Sequence, residues 1–187
     1  MDRMLICVCL WVLWIAIWMI WAFQSKRTQQ RESLASRMSY TLIAWAAGTL
    51  MFSPRGPGNW GHAEIVPYHA WMGWVAVAVT ALGFALTLWA RAILGGNWSS
   101  SVTIKVSHEL IRSGPYRWVR HPIYTGLIVA MAGTAIARDE WRGLLAVLLL
   151  WIAFTIKRLK EEQFMRQTFG PQYIEYAQTT GAIFPRH

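Results

Sequence analysis

The chain has 187 residues, 55% of them hydrophobic and 14% charged, with 13 tryptophans and a net charge of +9. That length suits one domain, and the composition excludes a disordered or fibrous protein. The basic residues are spread over the loops and not clustered with aromatics, which argues against a nucleic-acid partner.

The apolar residues come in blocks. Met4 to Phe23 is twenty residues without a charge, long enough at about 1.5 Å per residue to cross a hydrocarbon core about 30 Å thick. It is rich in tryptophan and no small-residue cleavage site follows, so a retained span is expected, not a signal peptide. Cys7 and Cys9 lie in this block on different helix faces and give no evidence for a disulfide framework or a metal site. Further blocks run over Met38–Phe52, Ala70–Leu94, Ile123–Ala137 and Leu144–Ile156, the last continuing as a helix into "KRLKEEQF". The fold class that follows is an all-α integral membrane protein with about five transmembrane helices. The fourth block is short and follows a polar motif, which implies polar backbone buried in protein there.

Loop charges predict an orientation. The connection from Gln24 to Arg37 holds Lys26, Arg27, Arg31 and Arg37 against Glu32, whereas Ser53 to His69 holds Arg55 against Glu64. The third connection carries Arg91, Lys105, Arg112, Arg117 and Arg120 against Glu109; "RDEWRG" is balanced, and the tail is again basic. Positive and neutral segments alternate, which places the N-terminus outside and the third connection and the C-terminus in the cytoplasm.

The outer loop "SPRGPGNWGHAEIVPYH" reads as an irregular connector. His62, Glu64 and His69 follow no metal-ligand spacing and read as exposed loop residues. Trp60, Trp71, Trp74 and Trp141 sit near block ends, as an interfacial aromatic belt would. The third connection, "GGNWSSSVTIKVSHELIRSGPYRW", differs from the others. It starts at Gly95-Gly96, contains a β-prone "SVTIKV", and is too long for a tight turn. Folded back on the membrane domain, it would form one wall of a site.

That site is foreshadowed by "SGPYRWVRHPIYTG". Pro122 suits the first turn of a helix, where a missing N–H costs nothing, and His121, preceding it, is pushed toward an extended conformation at the helix entrance. The amides of Ile123 and Tyr124 become unpaired donors at the positive end of a helix dipole, with Arg117 and Arg120 beside them. Tyr124 lies one turn beyond His121, and Gly126 allows close backbone approach. An anion-binding site and a juxtamembrane basic cluster both fit these features. Further on, Glu161 and Glu162 end the last hydrophobic helix, paired i,i+4 with Lys157 and Arg158. Lys before Glu is the weaker helical order, and acids near a helix C-terminus meet the wrong end of the dipole. Stability is a poor reason for the pair and a cationic ligand a better one.

"RHPIY" followed by "EE" resembles the motif shared by isoprenylcysteine carboxyl methyltransferases and membrane phospholipid methyltransferases. The resemblance extends over roughly Gly95 to Pro185, through "NWSSSVTI", "HELIRSGPYRWVRHPIYTG", "KRLKEEQF" and "FGPQYIEYAQTTGAIFP". It implies S-adenosyl-L-methionine as methyl donor, bound on the cytoplasmic side. Carried over by position, its contacts would be His108, Glu109, Leu110, Ile111, Tyr116, His121, Pro122, Ile123, Tyr124 and Glu161. The chain has no glycine-rich dinucleotide-binding unit. The arginine that the prenylcysteine enzymes place before the acidic pair falls on Lys157, with Arg158 adjacent; these are the expected substrate-binding residues. Ser101 stands where some members carry an amide side chain. Glu162 and Arg158 are the expected catalytic residues, with His108 a further candidate base.

The resemblance further implies a lipophilic acceptor entering from the bilayer, surrounded by membrane lipids, with no metal. O-methylation of an isoprenylcysteine-like carboxylate is the expected reaction. N- or S-methylation of a phospholipid amine or lipophilic thiol is the alternative within the class. A non-catalytic membrane protein binding an anion or lipid is the alternative outside it, and nearly charge-free spans disfavour a transporter. Residues 1–94 are expected to be scaffold spans and 95–187 the catalytic region of one membrane domain.

Overall fold

The computed structural model describes residues 3–22, 28–54, 69–98, 103–105 and 110–186. His62, Glu64, Trp60, Ser101, His108 and Glu109 lie outside them. Among the described residues six α-helices follow one another: α1 Arg3–Ala22, α2 Leu34–Phe52, α3 Ala70–Leu94, α4 Pro122–Arg138, α5 Trp141–Phe169 and α6 Pro171–Thr179. The helix boundaries have local causes. The Ser33 side chain caps α2 by accepting the Ser36 amide at 3.2 Å. Gly95 ends α3 at φ +54, Asp139 ends α4 in the left-handed region, and Gly170 separates α5 from α6 at φ +51.

The all-α expectation needs one addition. Thr28–Arg31 (β1) and Thr103–Lys105 (β2) pair as a short antiparallel ribbon. The ribbon ties the first connection to the third, at the end of the molecule where Lys160 donates to Ser36 O at 2.8 Å and Ser39 Oγ at 2.7 Å. At the opposite end the Arg138 guanidinium bonds Met51 O and Ser53 O, and Arg142 bonds Ser53 Oγ at 3.0 Å. The described parts of the first and third connections therefore share one end of the bundle. Among the described residues, two helical stretches, Arg3–Ala22 and Trp71–Asn97, are long and apolar enough to cross a membrane; Pro122–Arg138 is apolar but shorter.

The tightest packing joins α3 to α4. Ala76, Thr80, Gly83, Thr87 and Ala90 form a stripe of small residues on α3, facing Gly126, Ala130 and Gly133 on α4. A Cβ on Gly83 would lie 2.5 Å from Ala130 N and Gly126 O, and one on Gly133 would lie 2.5 Å from Thr80 N. Between helices in lipid the hydrophobic effect supplies little, so close backbone approach and interhelical hydrogen bonds do the work. The Cys7–Trp11–Trp14–Trp18 stripe brings α1 onto this pair. Trp11 Nε1 donates to Thr134 Oγ1 at 2.9 Å, and Trp14 Nε1 to Thr87 Oγ1 at 2.7 Å. α2 packs on α5 through Ala47, Met51, Ala146 and Leu150. Trp71, Trp74 and Trp141 stay more than half exposed, as a belt at the membrane surface would.

Candidate active site

α4 starts at Pro122, as expected, with His121 outside helical geometry at φ −125, ψ 57. Thr125 N–H is the first to bond back, to His121 O at 3.1 Å. The Ile123 and Tyr124 amides consequently find no backbone partner among the described residues. The approach to this entrance is stapled to the tail. Gly181 N–H donates to Trp118 O at 3.2 Å, Arg120 N–H to Gly181 O at 2.8 Å, and His121 N–H to Ala182 O at 3.0 Å. A Cβ on Gly181 would lie 1.6 Å from Phe184 O, so glycine alone fits. Tyr176 of α6 adds an O–H donated to Tyr116 O at 2.6 Å.

α5 supplies the other half. His121 stands between the two glutamates, Nδ1 3.5 Å from Glu161 Oε2 and Nε2 3.2 Å from Glu162 Oε1. Tyr124 O–H reaches both Glu161 oxygens at 2.7 Å. Its ring is stacked between His121 and Phe154, with centroids 5.3 and 4.6 Å away, and Lys157 Nζ lies 5.3 Å from its centroid. Residues about 40 apart in the chain thus form one cluster, and Tyr116, Ile123 and Ile111 pack beneath it against Ala90, Trp18 and Trp98.

The two carboxylates differ. The Glu162 side chain is 5% exposed and faces Arg120 at 3.1 Å, Arg158 at 3.7 Å and Arg166 at 3.8 Å. Burial alone would raise its pKa, but the hydrogen bond and charge of His121 and the charge of Arg120 outweigh it and hold it down to about 2. The Glu161 side chain is 22% exposed, with Lys157 at 4.0 Å. Burial pushes Glu161 up as well, and His121, Lys157 and Tyr124 together bring it below the usual carboxylate range. His121 moves the other way: burial disfavours its charged form, yet the bonds and charges of both glutamates outweigh that and raise it.

Several expected site residues therefore meet: Ile111, Tyr116, Pro122, Ile123, Tyr124, His121 and Glu161 lie in or directly beneath the cluster, and Leu110 lies on the same segment, half-buried. Arg120 departs from the expected role of anion donor. Its guanidinium is spent on Glu162, on Ala177 O at 3.1 Å and on Thr180 O. Arg117 points away, over the Trp118 ring. Arg158 faces Glu162, while Lys157 faces the open side beside Tyr40 and Tyr124. Sequence reasoning missed the tail staple and Phe154; glycine and small-residue loops carry no chemistry that would flag the first, and an apolar helix hides the second.

A model of the phospholipid methyltransferase family matches residues 71–172, more than half the chain, from α3 through both glutamates. The chain belongs to the phospholipid methyltransferase family. Among its relatives, protein-S-isoprenylcysteine O-methyltransferase B of Arabidopsis thaliana is 29% identical over 66% of this chain and 66% of its own length. Cobalt-zinc-cadmium resistance protein CzcN of Cupriavidus metallidurans is 27% identical over 78% of this chain and 61% of its own. A solved structure of the eukaryotic intramembrane Ras methyltransferase ICMT (isoprenylcysteine carboxyl methyltransferase) superposes with a TM-score of 0.59 at 26% identity, over 79% of this chain and 52% of that one. This family member thus spans between about half and two thirds of the length of these three proteins. Membership implies a methyl donor, and the donor set suits one: a half-open carboxylate, unpaired amides at a helix start and stacked aromatics within one cluster.

Proposed function

We propose that this chain is an integral membrane methyltransferase that takes its methyl group from S-adenosyl-L-methionine and passes it to the carboxylate of an isoprenylcysteine-like acceptor. The single observation that carries this is the convergence of His121 and Tyr124 on Glu161, with Lys157 alongside at 4.0 Å. When bound, the donor supplies a methyl on a sulfonium sulfur, already activated. Glu161 is the carboxylate open enough to face its cationic centres, and the free amides of Ile123 and Tyr124 suit its carboxylate. Tyr116, Ile111 and Tyr124 offer apolar and aromatic surface for its adenosine.

Glu162 is a positioning residue in this reading. A carboxyl held at about 2 by His121 and Arg120 is a weak base. An acceptor carboxylate needs none, because it is already the nucleophile and its methylation releases no proton. Lys157 neutralises that carboxylate as a point charge, without the fork of an arginine. Alignment of acceptor and methyl then supplies most of the rate. The relatives' names and the ICMT likeness support this choice of acceptor. The bundle crosses the membrane five times, α1 to α5, with the active-site end, the ribbon and the tail in the cytoplasm; loop charge and the shared end of the basic connections support that orientation.

The experiment is transfer of labelled methyl from S-adenosyl-L-methionine to N-acetyl-S-farnesylcysteine or to phosphatidylethanolamine, followed by mild alkali. Label released as methanol from the farnesylcysteine product marks an ester and supports the proposal. Alkali-stable label in the phospholipid would show N-methylation instead.

A further inference from the structure

Arg117 belongs to the motif before α4, yet the methyl-transfer cluster makes no use of it, and its surroundings form a separate surface. The segment that carries it, a 3-10 turn over Gly114–Arg117, lies against the end of α3: a Cβ on Gly114 would lie 3.0 Å from Ile93 Cγ1. Trp118 follows, 49% exposed, and its ring meets that of Trp89 on α3 edge-on with 6.0 Å between centroids. The Arg117 guanidinium lies over the Trp118 ring, 5.2 Å from its centroid. The main chain of Trp118 is fixed, because its carbonyl accepts the Gly181 N–H at 3.2 Å, and the indole is left on the outside.

The place of this surface follows from α3. Leu82, Trp89 and Ile93 are exposed and fall on one helical stripe, and α3 is long and apolar enough to cross a membrane. Such a stripe on a span faces lipid. Trp89 stands in the last two turns of α3, which ends at Leu94, and tryptophans near span ends sit at the level of the lipid headgroups. Trp118 and the guanidinium above it are held at that same level. Arg120, Arg158 and Arg166 face Glu162, whereas Arg117 is exposed and ion-pairs with no acid among the described residues. The stretch from Ile111 to Arg120 carries Arg112, Arg117 and Arg120 and no acid.

We propose that Arg117, Trp118 and Trp89 form a binding site for the headgroup of an anionic phospholipid, its phosphate on the Arg117 guanidinium and its glycerol end along the two indoles. A guanidinium matches phosphate with two parallel hydrogen bonds. Among the described residues no carboxylate stands beside Arg117 to hold the ammonium of a zwitterionic headgroup, which favours the anionic lipid. The orientation proposed above puts this end on the cytoplasmic leaflet, whose surface is negative. Arg117 is flanked by Tyr116, buried beneath the His121–Glu161 cluster, and by the stretch from Trp118 to His121 that is bonded to the tail. A bound lipid therefore steadies the entrance to α4 and tightens donor binding. That coupling rests on the methyltransferase reading; the lipid site does not.

The test is native mass spectrometry of the detergent-purified full chain titrated with phosphatidylglycerol or phosphatidylcholine, beside calorimetry of S-adenosyl-L-methionine binding to the same samples. The wild type should hold phosphatidylglycerol roughly fivefold more tightly than phosphatidylcholine, the effect of one basic residue near an anionic surface. Arg117→Gln should remove that preference, and Trp118→Ala should weaken both lipids. Arg112→Gln deletes an equal charge from an arginine turned toward Tyr176 of α6, and should keep the preference. Equal loss in the two arginine variants, or no loss in Arg117→Gln, would overturn the site in favour of a diffuse basic surface. Glycerol phosphate that displaces phosphatidylglycerol at matched concentration would overturn the lipid as occupant. Donor affinity should rise several-fold with phosphatidylglycerol in the wild type and not in Arg117→Gln; no rise, or the same rise in both, would overturn the coupling. Phosphatidylglycerol held through Arg117 by a protein that binds no S-adenosyl-L-methionine would sustain the lipid site and sink the methyltransferase reading alone.

Discussion

At the scale of single residues, the two adjacent glutamates have separate tasks that only the fold distinguishes. Glu162 is buried beside His121 and Arg120, with Arg158 and the exposed Arg166 further out, so Glu162→Gln leaves the nearly buried Arg120 and His121 uncompensated. Such a loss costs roughly 3 kcal/mol or more, which in a chain of this size lowers the melting temperature by about 6 °C or more. Glu161→Gln should leave thermal stability closer to wild type and act on donor binding instead. A thermal-shift series in detergent reads both, and equal stability losses would contradict the division. The pH dependence follows from the opposite shifts of the partners. His121 contributes stability that is complete below its ordinary 6.5 and lost as pH rises through its raised native value. Glu162 contributes stability present above 4.5 and lost as pH falls toward about 2. Melting temperature should therefore decline on the alkaline side of pH 6.5, and His121→Asn should flatten that decline; an equally steep decline in the variant would contradict the assignment to His121.

At the scale of elements, the α3–α4 contact is a steric demand. Gly83→Ala or Gly133→Ala puts a methyl 2.5 Å from backbone of the facing helix. Overpacking of that kind costs about 1–3 kcal/mol, or more where backbone must move. Gly48→Ala on α2, facing open space, should be neutral or stabilise by about 0.5–1 kcal/mol through helix propensity. Comparing the three by thermal shift separates helix contact from propensity; equal behaviour would contradict the packing account. The same elements show what the sequence could reveal. Hydropathy located α3 at its observed ends and α1, α4 and α5 to within a few residues, because apolar blocks and a proline start leave clear marks. It did not reveal that Gly83 and Gly133 pair across helices, since a glycine in a span marks either an interface or nothing. β1 is "TQQR", polar and without alternation, and was invisible, whereas β2 lies inside the "SVTIKV" stretch read as β-prone. The pairing of Gly181 and Ala182 with Trp118, Arg120 and His121 escaped because it is made of main-chain hydrogen bonds, which any sequence can offer.

At the scale of the whole molecule, the chain divides by end more than by sequence half. The chemistry gathers where the ribbon, the α4 entrance, the end of α5 and the tail meet, while Arg138, Glu140 and Arg142 close the other end against α2. His121 and Glu161 could be singled out from motif and charge logic, but their contact could not, because 40 residues of helix and turn separate them. The proposed orientation predicts that a cysteine at His69 reacts with an impermeant thiol reagent in intact cells, and one at Glu175 only after permeabilisation; the reverse pattern would invert the topology. The central claim is that the cluster around His121 and Glu161 holds a methyl donor. Calorimetry of S-adenosyl-L-methionine binding to the purified wild type, His121→Ala and Glu161→Gln tests it most directly. Saturable binding in the wild type, lost or weakened at least tenfold in both folded variants, is the predicted result; a folded wild type that binds no donor, or variants that bind it as well as the wild type, would contradict it.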